Sequence, residues 1–247
     1  AEFNGRMVDT HVVSLLNPMA TASESYRALR TNIQFSRPDV VIQTILVTSS
    51  NPSEGKSVTS SNLAVVFAQA GRRVLLVDAD LRRPTVHKKL GISREPGLVQ
   101  QLFSSESIQA TTLDQLADDL YVLPAGSLAP NPSELIGSRR MRDLIADMRT
   151  KFDIIIFDAP PVLAATDAVL LSTQCDATLV IARAGQTKDF ELNSALAALK
   201  DVGTKPSGLV LNAFDVRQAY GYRYKYAYRY GNAYGYGSPK AADQPDA

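Results

Sequence analysis

From residue 40 onward, short runs rich in Val, Ile and Leu alternate with stretches whose apolar residues recur every three or four positions. The runs are Ile42–Thr48, Arg73–Asp78, Leu120–Leu123, Ile154–Phe157, Ala177–Ala182 and Gly208–Leu211. They are apolar throughout rather than alternating, which suits strands covered on both faces in a parallel sheet. Between them, Ser57–Ala70, Ser133–Met148 and Phe190–Val202 carry the helical period. The alternation predicts an α/β fold of three layers, a mostly parallel central sheet with helices on both faces joined by right-handed crossovers. Upstream, residues 1–22 carry few pattern signals. A polar helix is expected over Ser23–Phe35, with Pro38 just past its end.

After Phe214 the character changes. Residues 220–236 hold eight of the chain's ten tyrosines and no Val, Leu or Ile. With glycines interleaved, this stretch has little to bury and reads as a mobile tail rather than a strand. The expected organisation is therefore an N-terminal segment (1–22), one domain (23–214) and a tail (215–247).

Composition narrows the function classes. A chain of 247 residues, 45% hydrophobic and 21% charged, is long enough for one large domain with a substantial core. Net charge is +1, so no global basic field points to nucleic acid, which is not expected as a partner. Cys175 is the one cysteine and cannot form an internal disulfide, which suits a reducing compartment. No run reaches the roughly 18 apolar residues of a membrane-spanning helix, and no signal-peptide pattern opens the chain. The opening Ala1-Glu2-Phe3 would fit a cloning remnant, in which case the natural protein extends further upstream.

The sharpest chemistry lies between the first apolar run and the first helical stretch. Ser50-Asn-Pro-Ser-Glu-Gly55-Lys56-Ser57 matches the P-loop pattern from its second glycine onward, with Ser50 in place of the first. Such a loop curls its N–H groups around phosphates, and the following helix adds the positive end of its dipole. A solvent-facing Lys56 would reach the β- and γ-phosphates, and the Ser57 hydroxyl would take a Mg²⁺ position. Two more runs end on acids: Val74-Leu-Leu-Val-Asp78-Ala-Asp80 and Ile154-Ile-Ile-Phe-Asp158. In open parallel sheets ligands lie beyond the carboxyl ends of the strands, and three acids gathered there call for a divalent cation.

These motifs resemble those of the bacterial tyrosine kinases, the cytoplasmic autokinases of capsule and exopolysaccharide synthesis. The likeness rests on the P-loop, on VLLVDADLRRP (74–84) and on IIIFDAPP (154–161). It extends to GLVQQLF (97–103), LPAGSLAPNPSELIGS (123–138) and the last apolar run into Asn212. It implies a P-loop NTPase-type fold and ATP with Mg²⁺ as cofactors. Nucleotide would be held by Glu54, Gly55, Lys56, Ser57, Val58 and Asn212, and the metal by Ser57, Asp80 and Asp158. The resemblance makes Asp78 the acid that receives the tyrosine proton, with Lys56 and Asp80 beside it in catalysis. The modified residues would be Tyr220, Tyr222, Tyr224, Tyr226, Tyr228, Tyr230, Tyr234 and Tyr236, phosphorylated between subunits.

Glu24, Arg27 and Arg30 resemble the family's ring-forming motif and occupy a helix stripe about 120° wide. On spacing alone, a solvated helix with an internal Glu–Arg pair is the plainer reading. The resemblance also implies a homo-oligomeric ring, a transmembrane activator segment either fused or separate, and a place at the cytoplasmic face of the bacterial inner membrane. Two other readings compete. A MinD- or ParA-like ATPase switch is related, but that group usually carries a second lysine where this chain has Asn51 and Pro52. A single-strand nucleic-acid binder using the Tyr/Arg tail lacks a binding fold. Tyr26 and Tyr121 read as packing residues, and His11 and His87 as surface ones. Arg82-Arg83-Pro84 reads equally well as a holder of phosphate or an acidic partner and as a solvated turn.

Overall fold

The computed structural model describes residues 1–214 other than residues 4, 38, 105–110 and 113–117. The tyrosine-rich segment and its eight candidate sites lie outside the described residues. A small antiparallel pair, β1 (Glu2–Phe3) and β2 (Arg6–Met7), opens the chain, followed by α1 (Val13–Leu16) and α2 (Thr21–Phe35). The main sheet then alternates with helices: β3 (Thr44–Ser49), α3 (Lys56–Ala68), β4 (Val74–Asp78), α4 (Val86–Leu90), α5 (Leu98–Phe103), β5 (Thr111–Thr112) and β6 (Leu120–Leu123). After these come α6 (Pro132–Ile136), α7 (Arg139–Lys151), β7 (Ile154–Asp158), α8 (Asp167–Ser172), β8 (Ala177–Arg183), α9 (Asp189–Asp201) and β9 (Gly208–Asn212). Sheet order is β5-β6-β4-β7-β3-β8-β9, parallel except for β5.

Side-chain alternation divides the core into two layers. Val74 and Leu76 of β4 and Ile154 and Ile156 of β7 face α1, α3 and α4. Leu75, Val77, Ile155 and Phe157 face α5, α7, α8 and α9. This is the expected three-layer arrangement, and β3, β4 and β7 are buried at every position. The run at Gly208–Leu211 departs from expectation. As β9 it is an edge strand among the described residues, with Leu209 and Leu211 more than half exposed because none of those residues covers that side.

Helix α3 shows packing overriding propensity. Its Ser, Thr, Val and Asn residues are mediocre helix formers, yet 11 of its 13 residues are buried. Burial of side chains such as Phe67 and Leu63, worth roughly 1.5–3 kcal/mol each, outweighs propensity costs of a few tenths. Two of its buried hydroxyls are satisfied one turn back, Ser60 Oγ donating to the Lys56 carbonyl (2.9 Å) and Ser61 Oγ to that of Ser57 (2.7 Å). The expected single helix over Ser133–Met148 is instead α6 and α7. The break falls at Gly137, and Ser138 restarts the chain as a cap whose Oγ accepts from the Met141 N–H at 3.1 Å.

The N-terminal segment is more committed than its sparse pattern suggests. Val8, Val12 and Leu15 are buried in the α3 layer. Asn62 on α3 ties the segment down, accepting from the Ser14 N–H (2.8 Å) and donating to the His11 carbonyl (2.8 Å). The Lys89–Asp9 ion pair (2.9 Å) closes the other side.

Candidate active site

The loop between β3 and α3 has P-loop geometry. Gly55 caps α3 at φ 100°. The left-handed backbone there requires glycine, and a Cβ, 1.8 Å from Asn212 Nδ2, would also push the Asn212 amide off the loop. Asn212 Nδ2 donates to the Glu54 carbonyl at 3.0 Å, which joins the end of the last strand to the phosphate loop.

Glu54 is fully buried, and its carboxylate is taken up within the protein. It accepts from the Asn51 N–H (2.8 Å) and from the Thr187 hydroxyl, whose oxygen also accepts from the Arg183 N–H (2.7 Å). Arg183 Nη1 reaches the Ser53 carbonyl at 3.0 Å. Only the backbone of Glu54 is left for a nucleotide. Lys56 opens α3 at 8% exposure, correcting the expectation that it faces solvent. Ser57 and Val58 complete the first turn, both partly buried.

The three acids converge. Asp78 and Asp158 are register partners at the ends of β4 and β7, both fully or almost fully buried and both on the α3 side of the sheet. Asp78 Oδ2 accepts from the Thr85 and Val86 N–H groups (3.1 Å each), and its Oδ1 from that of Asp80 (3.3 Å). Asp80 Oδ1 accepts from the Arg83 N–H at 2.9 Å. Asp158 Oδ1 accepts from Ser60 Oγ (3.2 Å), while its buried Oδ2 has no hydrogen-bond partner among the described residues.

Burial, followed by the charge of Asp158, holds the Asp78 carboxyl well above the usual carboxylate range. Burial likewise raises Asp158 to about 6, against the opposing pull of the Lys56 ammonium and the Ser57 hydroxyl. An underpaired, mutually repelling carboxylate cluster with an orphaned oxygen beside a P-loop serine is the donor chemistry that a hard divalent cation fits. No cluster of His, Cys, Asp and Glu could wrap a metal unaided among the described residues. A P-loop cation, however, also draws on phosphate, hydroxyl and water oxygens.

The remaining sequence candidates have structural partners. Arg27 Nε donates to Glu24 Oε2 at 2.7 Å within α2, and Arg27 Nη2 to the Pro18 carbonyl. Arg30 Nη1 donates to the Val66 carbonyl at 2.6 Å, near the carboxyl end of α3, where a cation complements the helix dipole. Tyr26 and Tyr121 are packing residues, the latter edge-on to Phe152. His11 is exposed, but His87 is half-buried, with its Nδ1 buried and unpartnered. Arg82 has found an acidic partner inside the molecule, Asp167. Thr187, Arg183, Asp167 and Ser133 escaped the sequence reading. Their contacts span 34 to 133 residues, and no local pattern announces them.

A family model for an AAA domain matches residues 42–200. The tyrosine-protein kinase YwqD of Bacillus subtilis is 38% identical over 208 residues, covering 84% of this chain and 88% of that protein. The chain belongs to the bacterial tyrosine-protein kinases. The tyrosine-protein kinase etk of Escherichia coli is 34% identical over 196 residues, and there the chain spans only 27% of the longer relative. The solved kinase domain of that enzyme superposes with a TM-score of 0.78 at 32% identity, covering 83% of this chain and 81% of the domain. The MinD cell-division ATPase of Pyrococcus furiosus shares the fold alone, with a TM-score of 0.59 at 24% identity. The P-loop, the acid cluster and the bracing by β9 and the β8–α9 loop are thus features of a kinase domain.

Proposed function

We propose that this kinase transfers the γ-phosphoryl group of ATP to tyrosines in residues 220–236 of a neighbouring copy within a ring, as part of capsule or exopolysaccharide synthesis and export. The observation that carries the reading is the buried Asp78–Asp158 pair, with its orphaned Oδ2, placed beside a Gly55–Lys56 helix start. Lys56 would neutralise charge on the transferring group, and the N–H groups of residues 55–58 would hold phosphate oxygens. Ser57, Asp80 and Asp158 would hold Mg²⁺, whose contribution is to offset negative charge on the phosphates. Asp78 would orient the incoming phenol and receive its proton; three backbone N–H groups hold its carboxylate in place. Asn212, at the rim of the loop, would read the adenine edge.

Residues 216–236 carry Arg217, Arg223, Lys225 and Arg229 and no acid, which suits docking at an acidic site. Each phosphotyrosine adds roughly −1.5 to −2 charges, so two or three would cancel that attraction and release the segment. Glu24, Arg27 and Arg30 would contribute to the ring. A transmembrane activator, fused or separate, would hold the kinase at the cytoplasmic face of the inner membrane. No helix among the described residues is long and apolar enough to cross a membrane.

Mixing a Lys56→Met chain that keeps its tyrosines with an active chain lacking residues 220–236 tests transfer between copies. Phosphotyrosine should appear on the inactive chain. Its absence, with the shortened chain shown to be competent, overturns transfer between subunits.

A further inference from the structure

Asp167 is an acid outside the three P-loop motifs, and it is as deeply buried as Asp158. It opens α8, the helix that follows β7, and accepts a two-pronged contact from Arg82: Nε to Oδ2 at 2.9 Å and Nη2 to Oδ1 at 3.1 Å. Ser133 of α6 completes the group, donating through Oγ to Asp167 Oδ1 and accepting from Arg82 Nη2 at 2.8 Å. Arg82 stands two residues beyond Asp80 in the loop from β4 to α4. That loop is held at its other end by Asp78, through the Thr85 and Val86 N–H groups. The arginine fork therefore joins the segment carrying Asp78 and Asp80 to the helix that follows the strand carrying Asp158.

The join matters because acids sit on both segments. Asp78 and Asp158 are register partners at the ends of neighbouring strands, Asp80 follows two residues on, and like charges gathered this way repel. The Ala79 N–H anchors the start of the loop by donating to the Asp158 carbonyl at 2.9 Å. Beyond that point, without the arginine tie, the stretch carrying Asp80 would relax away from β7 and a cation would have to draw it back. A bidentate guanidinium–carboxylate contact fixes direction as well as distance, which a lysine at the same position could not do.

From this geometry we infer that Arg82, Asp167 and Ser133 form a positioning clamp that holds the Asp80 loop against the Asp158 strand and so presets the cation site. The inference rests on the reading of these acids as a Mg²⁺ site. Outer-shell residues that orient metal ligands typically change metal affinity by about 10- to 100-fold when replaced.

The test is calorimetric titration of ADP into the full chain, in EDTA and then across a Mg²⁺ series, for wild type, Arg82→Lys and Asp167→Asn. Each variant should raise the Mg²⁺ concentration at half-maximal enhancement by about 10-fold. ADP affinity in EDTA should stay within about twofold of wild type, and autophosphorylation should recover at saturating Mg²⁺. An unchanged Mg²⁺ midpoint overturns the clamp. So does a loss of ADP binding that is equal with and without metal, since that marks general damage to the fold. Should both variants fail to fold, Ser133→Ala removes one hydroxyl only. It should move the midpoint by about threefold, and no movement would again overturn the inference. If wild type itself shows no Mg²⁺ dependence, the fault lies in the metal-site reading and not in the clamp.

Discussion

The two ends of the central sheet treat their carboxylates in opposite ways, a partly buried one at the amino end and fully buried ones at the carboxyl end. At the amino end, Asp176 accepts from the Gln43 N–H (3.0 Å), the Thr44 N–H (2.8 Å), the Thr44 hydroxyl (2.9 Å) and Arg149 Nη2 (2.9 Å). Burial alone would raise its pKa, but the Arg149 hydrogen bond and these N–H donors pull it below the usual range. At the carboxyl end, Asp78 and Asp158 are pushed upward by burial and by neighbouring acids, and one oxygen has no partner. One end is a finished structural joint. The other keeps buried acids side by side with one oxygen unpaired among the described residues, the kind of perturbed cluster that fits the cation site proposed above.

The largest effect should come from the phosphate loop. Lys56→Met should lower autophosphorylation by about 10³-fold, comparable to removing one strong electrostatic donor from an active site. Methionine fills much the same buried space, so circular dichroism should show the fold unchanged. Wild-type rates from purified Lys56→Met would remove the loop from catalysis.

The contrast between the two ends can be broken directly by Asp158→Asn and Asp176→Asn. Without metal or nucleotide, Asp158→Asn removes a charge that costs roughly 2–3 kcal/mol at neutral pH, given a carboxyl raised to about 6. Melting should rise by several degrees while the Mg²⁺ dependence of autophosphorylation weakens. Asp176→Asn should instead lower the melting temperature, by roughly 1–3 kcal/mol of lost hydrogen bonding, and leave the Mg²⁺ titration alone. Melting temperatures moving in the same direction would mean that the two ends do not differ as described.

The pH dependence sharpens the same point with smaller shifts. A carboxyl whose folded pKa is raised binds its proton more tightly when folded. The contribution of Asp158 to the stability of the metal-free protein should therefore decline as pH rises from about 4 to 6. Asp176 has the opposite sign. Its contribution is present above the unfolded value near 4 and fades as pH falls below it. In thermal melts, Asp158→Asn should remove the decline between pH 4 and 6, and Asp176→Asn should blunt the loss at acid pH. A melting curve whose slope between pH 4 and 6 is the same in Asp158→Asn and wild type would contradict the assignment.

The smallest effect concerns α2. Replacing Glu24, Arg27 and Arg30 together with alanine should give a monomer by light scattering if the motif builds a ring, with nucleotide binding kept. Arg30→Ala alone should cost about 1 kcal/mol through its contact with the Val66 carbonyl. An unchanged oligomer in the triple variant would leave these residues with only the contacts seen within one chain.

The sheet and the gathering of the three acids were legible because their signals are local. A strand buried on both faces must be apolar throughout, so Val74–Val77 and Ile154–Phe157 announce themselves, and the acids that follow them mark the carboxyl edge. The strand β9 carried the same apolar signature, and composition could not tell that it would stand at the edge of the sheet among the described residues. Gly137-Ser138 was a readable stop and restart inside an apparently continuous helix. Val8, Val12 and Leu15 have helical spacing, yet only α3 and its Asn62 explain why they are buried. The Glu54–Thr187 and Arg82–Asp167 contacts were invisible because each depends on segments distant in sequence meeting across the fold.

The central claim is that this acid cluster and P-loop transfer phosphate to tyrosine rather than to water. Incubation of the full chain with ATP labelled at the γ-phosphate, followed by hydrolysis of the protein to amino acids, tests it most directly. The account predicts label in phosphotyrosine, dependent on Mg²⁺ and lost in Lys56→Met. Label released only as free phosphate, with the protein unmodified, would contradict it and favour an ATPase switch.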